Sequence, residues 1–131
     1  MKYIVLLGRI LYSLMFIYSG LFLFSDMTVG YASSKGVPIA SFLVPLSGVM
    51  AIVGGLLIVI GYRAKLGAWL IVAFLIPVTF IMHAFWKETD PNQMQMQISN
   101  FLKNISMLGG AFLIIWFGAG PLSFDSRRKA G

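Results

Sequence analysis

The chain has 131 residues, of which 59% are hydrophobic and 11% charged, with no cysteine and a formal net charge of +6. Its mean hydropathy of +0.89 leaves little room for a soluble catalytic module, and the lack of cysteine excludes thiol–disulfide chemistry, iron–sulfur ligation and covalent haem attachment. The basic residues sit in short segments beside apolar runs, a pattern of membrane orientation rather than of nucleic-acid binding.

Four apolar runs follow in chain order, and helices are expected over about 3–24, 42–62, 66–86 and 98–117, with only Arg9 and Lys103 charged inside them. Each has about 20 residues, enough at a rise of about 1.5 Å per residue to cross the roughly 30 Å hydrocarbon core of a bilayer. Backbone amides find no water at that depth, so the runs must be helical. The expectation is an all-α integral membrane four-helix bundle, one transmembrane domain over residues 1–131. The first run carries Arg9 and precedes three more spans, so it reads as a retained helix rather than a signal peptide.

Met27 to Ser41, with Gly30, Ser33, Ser34, Gly36 and Pro38, reads as a loop. The link Gly61 to Lys65 is short enough to make the second and third helices antiparallel neighbours. Pro77 predicts a kink in the third. Lys87 to Gln97 reads as a polar connector in which Pro91 breaks the helix. The fourth run stops at Gly118-Ala119-Gly120-Pro121, before a basic tail. Gly54-Gly55 and Gly109-Gly110, with Ser47 and Ala51 below the first pair and Ser106 below the second, read as packing seams, because small residues let helices approach where lipid gives no apolar drive. With both termini cytoplasmic, the inside segments hold Lys2, Arg63, Lys65, Arg127, Arg128 and Lys129 against Lys35 and Lys87 outside, the asymmetry expected of that orientation.

Ionisable groups inside a membrane are candidates for function, since each costs several kcal/mol unless it is paired or snorkels. Arg9 lies near the inner end of the first helix and Asp125 just past the inner end of the fourth. The two are expected to form a structural ion pair, with a snorkelling arginine or an anion site as the alternatives. His83, Lys103 and Asn104 lie at matched depth near the outer ends of the third and fourth helices. With Thr79, Trp86 and Asp26 they form the candidate ligand-binding set. His83 is expected to face Asn104, either as the polar wall of an outward pocket that exchanges a proton with a quinone carbonyl or as an interhelical bond that only fixes packing. One histidine and no cysteine cannot supply the usual zinc or haem ligands. Met94 and Met96 are thioether donors for Cu(I) or, more simply, flexible apolar filler.

Several segments together carry a resemblance: Arg9-Ile10-Leu11 and Ser19-Gly20; Gly54-Gly55-Leu56-Leu57; Thr79 to Trp86; Phe101-Leu102-Lys103-Asn104; and Gly118 to Asp125. In this order the chain resembles the DoxX family of small bacterial inner-membrane proteins. It departs from that family's pattern at Ala51, where members often carry a glutamate, and after Gly20, where they often carry a lysine. The resemblance implies a multi-pass protein of the bacterial inner membrane, and for some members partnership with membrane redox complexes. Three functions are thereby expected to compete: a small non-catalytic subunit of a quinone-linked redox system; a quinone-reactive oxidoreductase subunit using His83, Lys103 and Asn104; and a protein that holds a lipid or small amphiphile between its helices, or none. Quinone is the one cofactor in view. Partners are the lipid bilayer and redox subunits, not nucleic acid, with self-association left open.

Overall fold

A computed structural model describes residues 1–130, and the side chains of residues 1–127. Its elements are α1 (Lys2–Phe22), α2 (Asp26–Ser34), α3 (Ala40–Ile60), α4 (Ala64–Met82), a single 3-10 turn (Phe85–Lys87), α5 (Pro91–Phe117) and α6 (Phe124–Ala130). The fold is all-α, and four helical stretches are long and apolar enough to span a bilayer: α1, α3, residues Ala64–Lys87, and α5. The spans alternate in direction, so α1 begins and α5 ends at one face, here the terminal face. At the opposite face, the ion pair of Lys35 Nζ with Glu88 Oε1 at 2.9 Å joins the end of α2 to the segment after the 3-10 turn.

Two connectors depart from expectation. Residues 26–34 form a helix rather than a loop. Ser25 caps it, its Oγ accepting from Thr28 N–H at 3.2 Å, and Asp26 in the first turn complements the helix dipole. Ala32 on this helix is buried and packs with Ala40 and Val44 of α3. Pro91 likewise starts a helix instead of breaking one. It occupies the first turn of α5, where a missing N–H costs nothing, and Asp90 Oδ1 accepts from Asn92 N–H at 3.2 Å. The 27 residues of α5 then span about 40 Å, so its first turns project past the hydrocarbon. The third helix ends four residues earlier than expected, at Met82, because His83 leaves helical geometry. It runs through Pro77 without interruption.

Backbones approach most closely for α1 with α3, α3 with α4, and α4 with α5. Glycine makes two of these contacts. A Cβ on Gly20 would stand 2.8 Å from the Gly48 carbonyl oxygen, and one on Gly54 would stand 2.8 Å from that of Gly67, with each relation reciprocal. The expected seam on α3 is therefore real at Gly54 and Gly55, with Gly67 as an unforeseen partner, whereas Ser47 lines open space and Gly48 makes the contact beside it. The seam expected on α5 divides: Gly110 lies against the Tyr12 ring, whereas Gly109 faces open space. Gly61, with φ of +71°, turns α3 into α4, its N–H and that of Tyr62 both donating to the Leu57 carbonyl. Phe16, Ile58, Ile71 and Leu75 fill the core among the small Ala51, Ala68 and Ala111. Leu113, Trp116 and Phe117 point outward, the surface that a helix in lipid presents.

Candidate functional site

Toward the α2 face, the pair α1–α3 and the pair α4–α5 stand apart around a cavity of about 540 Å³. Its wall is mostly apolar, drawn from residues such as Phe16, Met50, Phe74, Met82 and Met107, with Ala32 of α2 contributing from above. Tyr12 braces its lower end. The hydroxyl donates to the Met107 carbonyl of α5 at 2.5 Å, and the ring leans on Phe16 with centroids 5.2 Å apart. That single side chain thus ties α1 to α5. Pro77 lines the cavity together with Ala73; lacking an N–H, it leaves the Ala73 carbonyl without its helical donor.

Three of the six expected ligand-binding residues, His83, Lys103 and Asn104, come together on this wall, beside Ser19, Thr28 and Ser47. The other three stand apart. Thr79 is buried at 2% exposure outside the wall. Trp86 is half-exposed in an aromatic cluster with Phe85 and Phe101, at centroid distances of 5.1 and 6.0 Å. Asp26 is solvated in the first turn of α2.

The expected bond between His83 and Asn104 does not form. His83 Nδ1 pairs instead with Gln97 Oε1 at 2.8 Å. The reason is the early start of α5: its buried residues are Gln97, Asn104 and Ala111, a seven-residue repeat that puts all three on one face. Gln97 sits two turns above Asn104, level with the frayed end of α4. Extending the buried stripe upward from Asn104 is the signal that would have found it. Asn104 is left 5% exposed, and its amide makes no hydrogen bond among the described residues.

At the terminal face the expected ion pair of Arg9 with Asp125 is also absent. Arg9, 4% exposed, donates through Nη2 to the carbonyls of Leu122 at 2.5 Å and Pro121 at 3.3 Å. Its Nε and Nη1, like the Ser13 hydroxyl one turn on, have no partner among the described residues. Asp125 is engaged elsewhere. Its two carboxylate oxygens accept from the N–H groups of Arg63 and Ala64 at 2.8 and 2.9 Å, capping α4, and its own N–H donates to the Gly61 carbonyl at 2.8 Å. A carboxylate serving a helix N-terminus gains both hydrogen bonds and the dipole, so Asp125 acts on Arg9 only as a nearby charge without direct contact. Nor does Arg9 snorkel: with Ser13, Phe16 and Gly20 it forms the buried stripe of α1.

Among the described residues, no three His, Asp or Glu side chains gather as a metal site would require. Of the tail counted for orientation, Arg127 is described, while the side chains of Arg128 and Lys129 lie outside the described residues. Outside the spans, the hydrogen bond from Lys35 to Glu88 holds the lysine ammonium above the ordinary lysine range.

With this geometry in hand, comparison with known proteins gives a consistent answer. The model of the SURF4 family matches residues 1–130. Inner membrane protein YphA of Escherichia coli (strain K12) is 30% identical over 126 residues, covering 95% of this chain and 89% of that protein. Inner membrane protein YqjF of the same organism is 30% identical over 123 residues, 92% of this chain and 88% of its own. A Surfeit locus protein 4 homolog of Drosophila melanogaster is 30% identical over 74 residues, 56% of this chain but 27% of that longer protein. No solved structure matches. These matches overturn the DoxX resemblance. The glycines quoted for it, at positions 20, 54 and 55, sit at close helix contacts, which any tightly packed membrane bundle needs, so they report on packing rather than on descent.

Proposed function

This chain belongs to the SURF4 family and is a multi-pass protein of the inner membrane, and we propose that it is a binding protein whose ligand is a small amphiphile held in the cavity beneath α2. The observation that carries the reading is Asn104. A primary amide 5% exposed on a mostly apolar wall is costly unless something bonds to it, and an amphiphile supplies both a polar group for the amide and a chain for the wall. The cavity, at about 540 Å³, has the size and lining of a small-molecule site. His83 is held by Gln97 and presents the opposite ring edge for a second contact.

Detergent-free extraction into polymer discs, followed by mass spectrometry of co-purified small molecules, tests this. A lipid-like molecule enriched over bulk membrane, and lost from Ser47→Trp, which fills the cavity, supports the reading. Equal recovery from both proteins contradicts it. A quinone as the enriched species would favour the redox-linked alternative, in which the same wall receives a quinone head group.

For orientation, we place the terminal face in the cytoplasm, on the excess of Arg63, Lys65 and the basic tail over Lys35 and Lys87. Single cysteines at Ser34 and Asn92 should react with an impermeant reagent from outside. Labelling of Lys65→Cys instead would reverse the assignment.

A further inference from the structure

Of the residues lining the cavity, Lys103 alone carries a full charge, and it adjoins Asn104 in sequence. A lysine in a membrane span is costly unless it reaches water or meets an anion. The protein supplies no such anion. The acidic groups at the α2 face are Asp26, Glu88 and Asp90. Glu88 is taken by Lys35, Asp90 accepts from Asn92 N–H at the start of α5, and Asp26 stands solvated at the start of α2. None of the three lines the cavity. The wall therefore offers an ammonium donor and, one residue on, an amide that makes no hydrogen bond among the described residues, beside a pocket bounded by Phe16, Phe74 and Met107.

Resting on the amphiphile reading above, we propose that the ligand is a single-chain amphiphile with an anionic head, its head between Lys103 and Asn104 and its chain in the cavity. Carboxylate and phosphate heads both accept charge-assisted bonds from an ammonium, so the shared chemistry is the anion. The volume, about 540 Å³, suits one alkyl chain and not a whole two-chain phospholipid. A neutral head would use the amide and leave the lysine unanswered, and a cationic head would oppose it.

The test compares three probes of equal chain length, hexadecanoate, hexadecanol and hexadecyltrimethylammonium, binding to the full chain in nanodiscs of zwitterionic lipid. The pH is set high enough to ionise the carboxylate, and bound probe is counted by native mass spectrometry. Hexadecanoate should bind about tenfold more tightly than hexadecanol, the scale of one charge-assisted contact. That ratio should fall toward one in Lys103→Gln and return in Lys103→Arg. Lys103 is exposed, and an unchanged circular-dichroism spectrum and melting temperature report that each variant is folded. A ratio of one in the unmodified protein, or preference for the cation, overturns the anionic head while leaving an amphiphile site standing. Binding of none of the probes overturns both.

Discussion

Toward the terminal face, α3 and α4 touch backbone to backbone at Gly54 and Gly67, and the segment after α5 is tied to Arg9, Gly61 and Ala64 by hydrogen bonds of 2.5 to 2.9 Å. Toward the α2 face the same helices part around about 540 Å³ of cavity. There, apart from Tyr12 at the cavity's lower end, α5 is secured mainly by His83 with Gln97 and by an aromatic cluster around Phe101. Lipid gives helices no apolar reason to associate, so close packing and polar contacts must do it: Gly20 against Gly48 joins α1 to α3 toward the α2 face, whereas the α3–α4 backbone contact and the buried polar ties of the segment after α5 lie toward the terminal face. The difference teaches that stability and binding are separable in this bundle. The closed half can hold the helices while the open half accommodates a guest.

Forcing the closed half apart should have the largest effect. Gly54→Leu drives a side chain into the Gly67 carbonyl and Ile71, and should destabilise the protein by about 3 kcal/mol, the upper range for overpacking, in a reversible SDS titration. Arg9→Ala removes two bonds from a buried cationic donor to main-chain carbonyls and should cost about 2 kcal/mol. The cost should persist in an Asp125→Ala background, because the partners are Leu122 and Pro121. An ion pair would instead make it vanish there. Asp125→Ala alone should cost about 1 kcal/mol, the usual worth of a helix cap.

Changes in the open half should be milder. His83→Ala removes one interhelical bond and should cost about 0.6 kcal/mol, with Gln97→Ala nearly silent afterward. Smallest of all is the partly exposed pair Lys35–Glu88, for which Lys35→Gln should cost about 0.3 kcal/mol and less in high salt. Its pH dependence has a fixed sign. Because the folded-state value of Lys35 is raised by Glu88, the stabilisation is complete below the ordinary lysine value of 10.5 and is lost as pH climbs through the raised one. Stability of the unmodified protein relative to Lys35→Gln should therefore decline in strong alkali.

The spans are legible in the sequence where the connectors and polar contacts are not, for a physical reason. The four spans are legible because the bilayer dictates their length and polarity, and Gly54 is legible as a contact because it stands in an apolar helix where little else explains it. Connectors obey subtler signals. Gly30, Ser33 and Ser34 suggest a loop over 27–41, yet Ser25 and Asp26 provide a cap that outweighs them. Pro91 is a breaker inside a helix and a starter at its first turn, and only the position of Asp90 distinguishes these roles. The polar contacts depend on rotation about each helix axis. Depth alone pairs His83 with Asn104 and Arg9 with Asp125, whereas the buried stripes through positions 97, 104 and 111 of α5 and 9, 13, 16 and 20 of α1 direct those side chains to other partners.

The central claim, that the open half holds an amphiphile, is tested most directly by mapping where a bound chain lies. The full chain in nanodiscs would be photolabelled with a fatty acid carrying a diazirine on its alkyl chain, and the adducts located by peptide mass spectrometry. The account predicts saturable labelling, competed by unlabelled fatty acid, at Met50, Met82 and Met107 on the cavity wall, and its loss in Ser47→Trp. Labelling spread evenly over outward residues such as Leu113 and Trp116, undiminished by competitor or by the filled cavity, would contradict it.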